Sequence, residues 1–313
     1  MTVSLVTGGA GFIGSHIVDA LLARGDQVRV LDDLSTGKLR NLQGAGDQVE
    51  VIEADLRDPD VLEKALRGVN LVFHQAAFVS VPQSMEEPDL CLDINIRGTS
   101  QLLEASRRFG IQRVVLASSA AVYGENSDLP LSEESATDPL SPYAASKLID
   151  EILARLYTNQ LGLDVVALRY FNVYGPRQNP ASVYAAVIPI FIRCLLDEEE
   201  PVVYGDGGQT RDFIYVADVV RANLIAADSR SAAGRTMNIC SGQETSLLDL
   251  IESLSILFNR EIQPDFQEPR AGDIYRSLGD PSLSGELLEF APRVSLLEGL
   301  ESTLKWMAGT VHD

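Results

Sequence analysis

The first half of the chain alternates short apolar segments with segments whose apolar residues recur at helical spacing. The apolar segments lack strict polar and apolar alternation, which is typical of strands covered on both faces. Strand-then-helix alternation of this kind predicts a doubly wound parallel sheet. The predicted strands are Val3–Thr7, Val28–Asp32, Val49–Ala54, Leu71–Gln75, Arg113–Ser118 and Asp164–Tyr170, and the predicted helices are Ile13–Arg24, Pro59–Arg67, Asp89–Phe109 and Tyr143–Leu161.

The pattern changes after Tyr170, where loops rich in Gly, Pro, Asn and Arg replace the regular alternation. We therefore expect residues 1–170 to form a Rossmann-type α/β dinucleotide-binding domain. A second, smaller α/β domain is predicted from residues 171–212 and 237–313. Between these two pieces, the apolar segment near 213–236 is predicted to return to the first domain.

Charge and cysteine content narrow the class of partner. The 313 residues include 25 Lys and Arg against 45 Asp and Glu, a net charge of −20, and such a surface repels a nucleic-acid backbone. Cys91, Cys194 and Cys240 are scattered, so neither a disulfide nor a metal site is predicted and a cytoplasmic location is expected. No apolar run approaches the ~20 residues of a membrane helix, so no membrane partner is expected.

Glycines follow the first predicted strand and open the first predicted helix, at Gly8, Gly11 and Gly14. Such a turn lets the backbone approach a pyrophosphate, which the helix N-terminus stabilises, although a glycine turn alone can also be only a tight loop. Asp32 ends the second strand, where a carboxylate can bind the ribose 2′-hydroxyl. Because Asp32 and Asp33 would repel a 2′-phosphate, the predicted cofactor is NAD rather than NADP.

A second group of polar residues predicts acid/base chemistry. Tyr143 and Lys147 lie one helical turn apart, after a start signal at Ser141-Pro142. A free phenol has a pKa of about 10, and a nearby ammonium stabilises its phenolate. Ser119 follows a strand, where a hydroxyl of a parallel sheet faces the ligand crevice. Alone, each residue could be structural, as a buried ring, a solvated amine or a turn cap; together they favour catalysis.

These motifs resemble those of the extended short-chain dehydrogenases, and most of all the UDP-glucose / UDP-N-acetylglucosamine 4-epimerases, from Val3 to about Trp306. The resemblance implies bound NAD and a UDP-sugar substrate that is oxidised transiently at C4. The cofactor-binding residues that it implies are Gly8, Gly11, Phe12, Ile13, Gly14, Asp32, Asp55, Leu56, Ala76, Ala77, Asn95, Tyr143, Lys147 and Tyr170. Among them, Asp55 and Leu56 match the family's adenine-contacting pair. The substrate-binding residues that it implies are Ser80, Ser119, Tyr143, Asn172, Val187, Tyr204, Arg211, Arg270, Asp273 and Ser277. Among them, Tyr204 and Arg211 lie in segments that match the family's uridine- and diphosphate-binding loops, and Arg211 and Arg270 are the expected diphosphate clamp.

Two positions refine the expected reaction. Ala120 and Ala121 stand where dehydratase members carry an Asp-Glu pair, which argues against a 4,6-dehydratase. Ser277 stands where members restricted to non-acetylated sugars tend to carry tyrosine, so UDP-N-acetylglucosamine and UDP-N-acetylgalactosamine are the expected substrates, with the UDP-glucose pair as a second. The alternatives left open are a UDP-glucose-only or UDP-glucuronate 4-epimerase, and an NAD-binding regulator that is not an enzyme.

The resemblance also implies a homodimer. The long helices Asp89–Phe109 and Tyr143–Leu161 carry more apolar positions than one sheet face can cover. Those positions are Leu92, Ile96, Leu102, Leu103, Leu148, Ile152, Leu156 and Tyr157. Two copies would form a four-helix seam, as family members do, unless the second domain or a loop covers this surface.

Overall fold

The computed structural model describes residues 1–179, 186–269 and 274–310. The strands are β1 Val3–Thr7, β2 Gln27–Asp32, β3 Val49–Glu53, β4 Leu71–His74, β5 Arg113–Ser119, β6 Val165–Tyr170, β7 Asn172–Tyr174, β8 Val202–Tyr204, β9 Thr210–Arg211, β10 Phe213–Tyr215, β11 Thr236–Ile239, β12 Thr245–Ser246 and β13 Asp265–Gln267. The α-helices are α1 Phe12–Arg24, α2 Pro59–Leu66, α3 Val81–Glu86, α4 Pro88–Leu92, α5 Gly98–Arg108, α6 Pro142–Leu156, α7 Val187–Leu196, α8 Val216–Asp228, α9 Leu247–Phe258, α10 Ser282–Leu288 and α11 Leu296–Thr310.

Seven parallel strands form the central sheet, in the order β11-β6-β5-β4-β1-β2-β3. The strand order reverses between β1 and β4, and in such sheets ligands bind at the carboxyl ends of the strands flanking that reversal. The predicted doubly wound Rossmann sheet is therefore confirmed. The six predicted strands and four predicted helices agree with the structure to within one residue at each end.

Two of the predicted helices contain a wider turn. A π-helical segment, Asp93–Arg97, joins α4 to α5, and another, Tyr157–Leu161, continues α6. Such segments are rare and are frequent at functional sites, because the extra residue redirects the side chains that follow. Here the first of them carries Asn95, one of the predicted site residues.

Apolar side chains cover both faces of the sheet, which explains why its strands do not alternate. On one face, α1 and α8 pack against the sheet with residues such as Ile17 and Val219. On the other face, α2, α5 and α6 contribute residues such as Leu66 and Leu103. None of the helices in the described ranges combines the length and the apolar character needed to cross a membrane.

The chain beyond Tyr170 contributes to two places. The segment near 213–236 forms β10 and α8 and leads into β11, which adds to the sheet beside β6 up to Ile239. A separate apolar cluster joins α7, α9 and α11, with Phe191, Leu250 and Leu300 fully or almost fully buried. The division into two domains at the predicted boundaries stays a prediction.

The predicted seam of apolar residues is wrong in part. Leu102, Leu103 and Tyr157 belong to the core between the helices and the sheet, because the helices are rotated so that these residues point inward. Ile152 and Leu156 remain exposed at 49% and 43%, and Ile149, which was not predicted, is exposed at 36%. Leu92, Ile96 and Leu148 are half-buried.

Candidate active site

The glycine turn lies where the sheet order reverses. Gly8 has a φ of +67°, and a Cβ there would lie 2.6 Å from the Ala76 nitrogen. A Cβ on Gly14 would lie 2.1 Å from the Gly8 oxygen. Gly11 precedes α1 and, within the described ranges, no side chain caps this helix end. The first N–H groups of α1, which include those of Phe12 and Ile13, therefore fit the pyrophosphate of a dinucleotide.

Asp32 holds the two loops beside this turn. Its carboxylate accepts hydrogen bonds from the N–H of Ala10 at 2.9 Å and of Leu34 at 2.9 Å. Burial raises the pKa of Asp32, and these backbone donors lower it. Each carboxylate oxygen can accept a second hydrogen bond, so Asp32 also retains the capacity to bind a ribose hydroxyl.

The residues predicted for the adenine end lie after β3. Asp55 forms an ion pair with Arg57 at 2.5 Å, which lowers the pKa of Asp55. Arg57 also contacts Asp93 at 2.5 Å, linking this loop to the π segment. Leu56 is buried against Gly98 at the start of α5. The loop is thus fixed by its own contacts, and its adenine contacts stay a prediction.

Asn95 holds the loop that carries Ala76 and Ala77. Its side chain accepts a hydrogen bond from the Phe78 N–H at 2.7 Å and donates to the Phe78 oxygen at 3.1 Å. It also donates to the Ser146 hydroxyl at 2.9 Å, which ties the loop to α6. Asn95 therefore positions this loop, and a contact of its own with the cofactor stays a prediction.

Tyr170 ends β6 with its hydroxyl buried. That hydroxyl accepts hydrogen bonds from Asn223 at 2.8 Å and from Gln75 at 3.1 Å. Burial is the main cause that raises the pKa of Tyr170. The phenol therefore stays protonated and joins β6, α8 and the end of β4 beneath the crevice.

The predicted catalytic residues come from α6 and the end of β5. Ser141 caps α6 by accepting from the Ala144 N–H at 3.1 Å, and Pro142 occupies the first turn as predicted. Tyr143 is half-buried and Lys147, one turn later, is 2% exposed. Helix α6 packs against β5 and the one-turn 3₁₀-helix Ala120–Tyr123 that follows it.

Ser119 is the last residue of β5. Its hydroxyl oxygen accepts from the Ala121 N–H at 3.1 Å, so Ser119 does cap the turn, as the structural interpretation of this residue expects. A hydroxyl that accepts one hydrogen bond still has its own proton to donate. Both interpretations of Ser119 are therefore compatible.

A buried polar group that the sequence analysis missed lies behind Lys147. Asp150 is fully buried, with a carboxylate oxygen 3.5 Å from the Lys147 ammonium. His74, at the end of β4, bonds Thr7 at 2.7 Å and Thr99 at 2.9 Å. Burial and the Lys147 charge lower the pKa of His74 to about 3. The available signal was spacing: residues 143, 147 and 150 share one helical face.

The substrate side is organised by another residue that was missed, Asp212. It is fully buried, and its carboxylate accepts from the N–H groups of Ser241 at 2.7 Å, Gly242 at 3.0 Å and Gly279 at 3.2 Å. Its carbonyl accepts from the Asn172 N–H at 3.0 Å. Three separate segments are thereby held beside the exposed Asn172.

Ser277 is half-buried in the segment that Asp212 anchors. Two residues later, Gly279 approaches Phe171 so closely that a Cβ would lie 2.7 Å from the ring. The neighbouring Leu278 oxygen accepts from the Leu131 N–H at 2.8 Å. These contacts fix the backbone around Ser277 next to the Tyr170-Phe171-Asn172 segment.

The predicted uridine loop lines a cavity of about 560 Å³. Its walls include Tyr204, Asp206, Phe266 and Tyr275, and the Tyr275 hydroxyl donates to Asp206 at 3.1 Å. Ser119, Tyr143 and Lys147 do not line this cavity. It therefore fits the nucleotide end of an extended ligand better than the reacting end.

The remaining predicted substrate residues are placed as follows. Ser80 caps α3 by accepting from the Gln83 N–H at 3.2 Å, and Val187 is the first residue of α7. Arg211 is half-buried in β9 and donates to the Thr210 oxygen at 2.8 Å. Arg270 and Asp273 lie outside the described residues.

The sequence model of the NAD dependent epimerase/dehydratase family matches residues 4–240. The chain belongs to this family. A putative UDP-glucose 4-epimerase of Methanocaldococcus jannaschii is 42% identical, and the match covers 97% of each chain. The solved UDP-N-acetylglucosamine 4-epimerase of Methanobrevibacter ruminantium, in complex with UDP-N-acetylmuramic acid, is 42% identical with a TM-score of 0.95 and 99% coverage of each chain.

Members of the family also contain the predicted cofactor. The Thermus thermophilus UDP-glucose 4-epimerase, solved with NAD, is 38% identical with a TM-score of 0.88, and the match covers 98% of this chain and 99% of that one. NAD is thereby confirmed as the cofactor of the family to which this chain belongs. Other relatives are named UDP-glucuronate 4-epimerase and UDP-N-acetyl-alpha-D-glucosaminuronate decarboxylase, so membership alone does not decide the sugar.

Proposed function

We propose that this protein is a UDP-sugar 4-epimerase that interconverts UDP-N-acetylglucosamine and UDP-N-acetylgalactosamine and also accepts UDP-glucose and UDP-galactose. The observation that supports the proposal is that Ser119 ends β5, while Tyr143 and Lys147 lie one turn apart on α6, which packs against β5 and the 3₁₀ turn that follows it. Ala120 and Ala121 lack the carboxylates that a dehydratase would need to eliminate water.

The glycine turn fits the cofactor, because Gly8 and Gly14 leave no room for side chains and, in the part of the chain that the structure describes, no side chain caps the first N–H groups of α1. When bound, NAD⁺ would supply the hydride acceptor for C4 of the sugar and, once reduced, the hydride donor, so the reaction would have no net redox change. Asp32 would hold the adenosine ribose. The loop of Ala76 and Ala77, which Asn95 fixes, would flank the nicotinamide.

Proton transfer is assigned to Tyr143. As a phenolate it removes the proton of the 4-hydroxyl, directly or through the hydroxyl of Ser119, which retains its own proton. Lys147 stabilises the phenolate from the next turn of α6. When the sugar has turned its other face, the same groups return the proton to the C4 oxygen.

The nucleotide and the diphosphate of the substrate are assigned to residues of the chain beyond Tyr170. Tyr204 and the cavity beside it would hold uridine, and Arg211 with Arg270 would bind the diphosphate through planar, bidentate guanidinium groups. Asn172 is exposed, and its backbone N–H is bound to the Asp212 carbonyl. Ser80, Val187 and Asp273 stay proposed contacts on the basis of family resemblance.

The preference for acetylated sugars rests on Ser277. The neighbouring residues Leu278 and Gly279 are fixed, the latter beside Phe171, and a serine side chain occupies less space at this position than a tyrosine would. A pocket that admits an acetamide does not strongly reject a smaller hydroxyl, because the lost contacts cost only ~1–3 kcal/mol. Both sugar pairs are therefore expected to react.

The test is turnover of a panel of UDP-sugars by the wild type and by Ser277→Tyr. We expect the wild type to epimerise the acetylated pair and Ser277→Tyr to lose that activity while it keeps the UDP-glucose pair. Ser127→Tyr, the same change in an exposed loop, should leave both activities unchanged. A wild type that turns over UDP-glucose but not UDP-N-acetylglucosamine would contradict the role of Ser277.

The same panel separates the alternatives. A UDP-glucuronate 4-epimerase would turn over the uronate and neither neutral pair. An NAD-binding regulator would retain NAD and turn over no sugar. The presence of all three residues, Ser119, Tyr143 and Lys147, favours the enzyme, since a regulator needs no acid/base group.

The proposed assembly is a homodimer through α6. Ile149, Ile152 and Leu156 form an exposed apolar stripe on this helix. An Ile152→Asp variant is expected to sediment as a monomer where the wild type sediments as a dimer. Ile256→Asp, on the exposed face of α9, serves as the control. A monomeric wild type at micromolar concentration would overturn the proposal.

A further inference from the structure

Asp150 is a buried carboxylate with an unusual surrounding. It is 0% exposed, and among the described residues neither of its oxygens has a hydrogen bond of ordinary geometry. The Lys147 ammonium is 3.5 Å away on the same face of α6. An isolated charge in such a place is very costly, so the carboxylate and the ammonium must stabilise each other.

The titratable groups nearest this pair are uncharged or paired with an opposite charge, although the charge of Glu151 still acts to raise the pKa of Asp150. His74 is uncharged, because burial and Lys147 lower its pKa to about 3. Cys91 on α4 is also uncharged, since burial raises the pKa of its thiol. Glu151 on α6 is neutralised by Arg169 on β6 at 2.7 Å. On α5, Thr99 lies beside Asp150 and bears no charge, and Glu104 pairs with Arg107 at the surface.

We propose that Asp150 is a positioning residue that holds the Lys147 ammonium on the Tyr143 face of α6 and limits how strongly this ammonium stabilises the phenolate. The inference rests on the proposed function, in which Tyr143 exchanges the proton. An ionised Asp150 offsets part of the ammonium's field at Tyr143. Burial raises the pKa of Asp150 to about 6, while Lys147 and Thr99 act in the opposite direction.

The direction of the effect follows from the charges. Without the carboxylate, the ammonium acts on Tyr143 unopposed, so the phenolate forms at lower pH. Asp150→Asn, which keeps the shape and removes the charge, should move the acid limb of kcat to lower pH by on the order of one unit. A purely structural role for Asp150 would change stability and leave this limb in place.

The experiment compares pH profiles of kcat for the wild type, Asp150→Asn and Glu104→Gln. Glu104→Gln removes an exposed carboxylate on α5 and should leave the profile unchanged. If Asp150→Asn does not fold, Asp150→Ala removes the same charge without leaving a polar group to bury. An acid limb that stays within error of the wild type in a folded Asp150 variant overturns the proposal.

A second readout does not depend on turnover. The ultraviolet absorbance of phenolate is titrated in the wild type and in Asp150→Asn, each minus the matching Tyr143→Phe variant, so that the difference reports Tyr143. A midpoint at lower pH in Asp150→Asn supports the proposal, and an unchanged midpoint overturns it. This holds even if no UDP-sugar is turned over, an outcome that would defeat the proposed function instead.

Discussion

The cofactor side and the substrate side of the crevice are built in different ways. On the cofactor side, Gly8, Gly11 and Gly14 belong to one continuous turn, and Asp32 holds that turn from the adjoining strand end. On the substrate side, Asn172, the segment after β11 and the segment of Ser277 are distant in sequence. One buried residue, Asp212, holds them together: its carboxylate binds the latter two segments, and its backbone carbonyl accepts from the Asn172 N–H.

This difference determines which substitutions disrupt each side of the crevice. The turn is specified by sterics, because a side chain at Gly14 has no space to occupy. The substrate side depends on hydrogen bonds to a single residue, Asp212. Its geometry can therefore be lost without any change at the glycine turn. In the proposed function, Tyr143 would act on the ligands of both sides.

The largest expected effect is the loss of proton transfer in a variant whose cofactor side and substrate side both stay intact. Tyr143→Phe should lower kcat by ~10²–10⁴-fold, the usual contribution of a positioned acid/base group. The NAD content of the purified protein and its affinity for UDP should stay at the wild-type level, measured by absorbance and calorimetry. Turnover close to the wild type would exclude Tyr143 as the proton-transfer group.

The next largest effect, a loss of stability and of affinity for NAD, should be confined to the cofactor side. Gly14→Ala places a Cβ 2.1 Å from the Gly8 oxygen, and backbone cannot move aside as a flexible side chain can. We expect the unfolding free energy to fall by ~1–3 kcal/mol and the affinity for NAD by at least about tenfold. Urea unfolding and NAD titration check this.

Gly309→Ala is the matched control, because no described atom lies within 4 Å of its Cβ position in α11. Alanine is favoured over glycine in a helix by ~1 kcal/mol, so this variant should be as stable as the wild type or more so. A Gly14→Ala protein that binds NAD normally would show that the turn is not the cofactor cradle.

A smaller effect should be confined to the substrate side. Asp212→Asn weakens the bonds to the Ser241, Gly242 and Gly279 N–H groups, at a cost of ~1–3 kcal/mol. The KM for the UDP-sugar should rise, and the affinity for NAD should not change. Glu298→Gln, at the start of α11, is the control, and steady-state kinetics with NAD titration make the measurement. Equal losses in the KM for the UDP-sugar and in the affinity for NAD would refute the separation of the two sides.

The smallest expected effect is a pH dependence of stability on the cofactor side. The folded pKa of His74 is about 3, below its unfolded value of 6.5. As the pH falls through this window the unfolded state binds the proton first, so stability is lost toward acid. The slope from one such group is at most about 1.4 kcal/mol per pH unit.

His74→Gln keeps a hydrogen-bonding side chain between Thr7 and Thr99 and does not titrate. Its unfolding free energy, measured in urea at pH about 7, 6 and 5, should therefore fall less steeply than that of the wild type. Parallel slopes for the two proteins would show that folding does not lower the pKa of His74.

The sequence by itself determined the sheet and the cofactor turn. Apolar strands without alternation require cover on both faces, and Gly8 and Gly14 permit the turn between β1 and α1, where a Cβ would collide with backbone. The start of α6 is likewise determined by residues that are close in the chain. Ser141 and Pro142 form the cap that sets Tyr143 and Lys147 one turn apart. These features arise from neighbours along the chain, so a single sequence contains them.

Only the tertiary structure decided which polar side chains support the site. Asp150 and Asp212 look like ordinary surface acids in the sequence, and packing alone placed one beside Lys147 and the other among three N–H groups. The same packing turned Leu102 and Leu103 into the core and left Ile149 outside. Helical spacing fixes which residues share a face, but the neighbouring elements, contributed by distant parts of the chain, determine which face is buried.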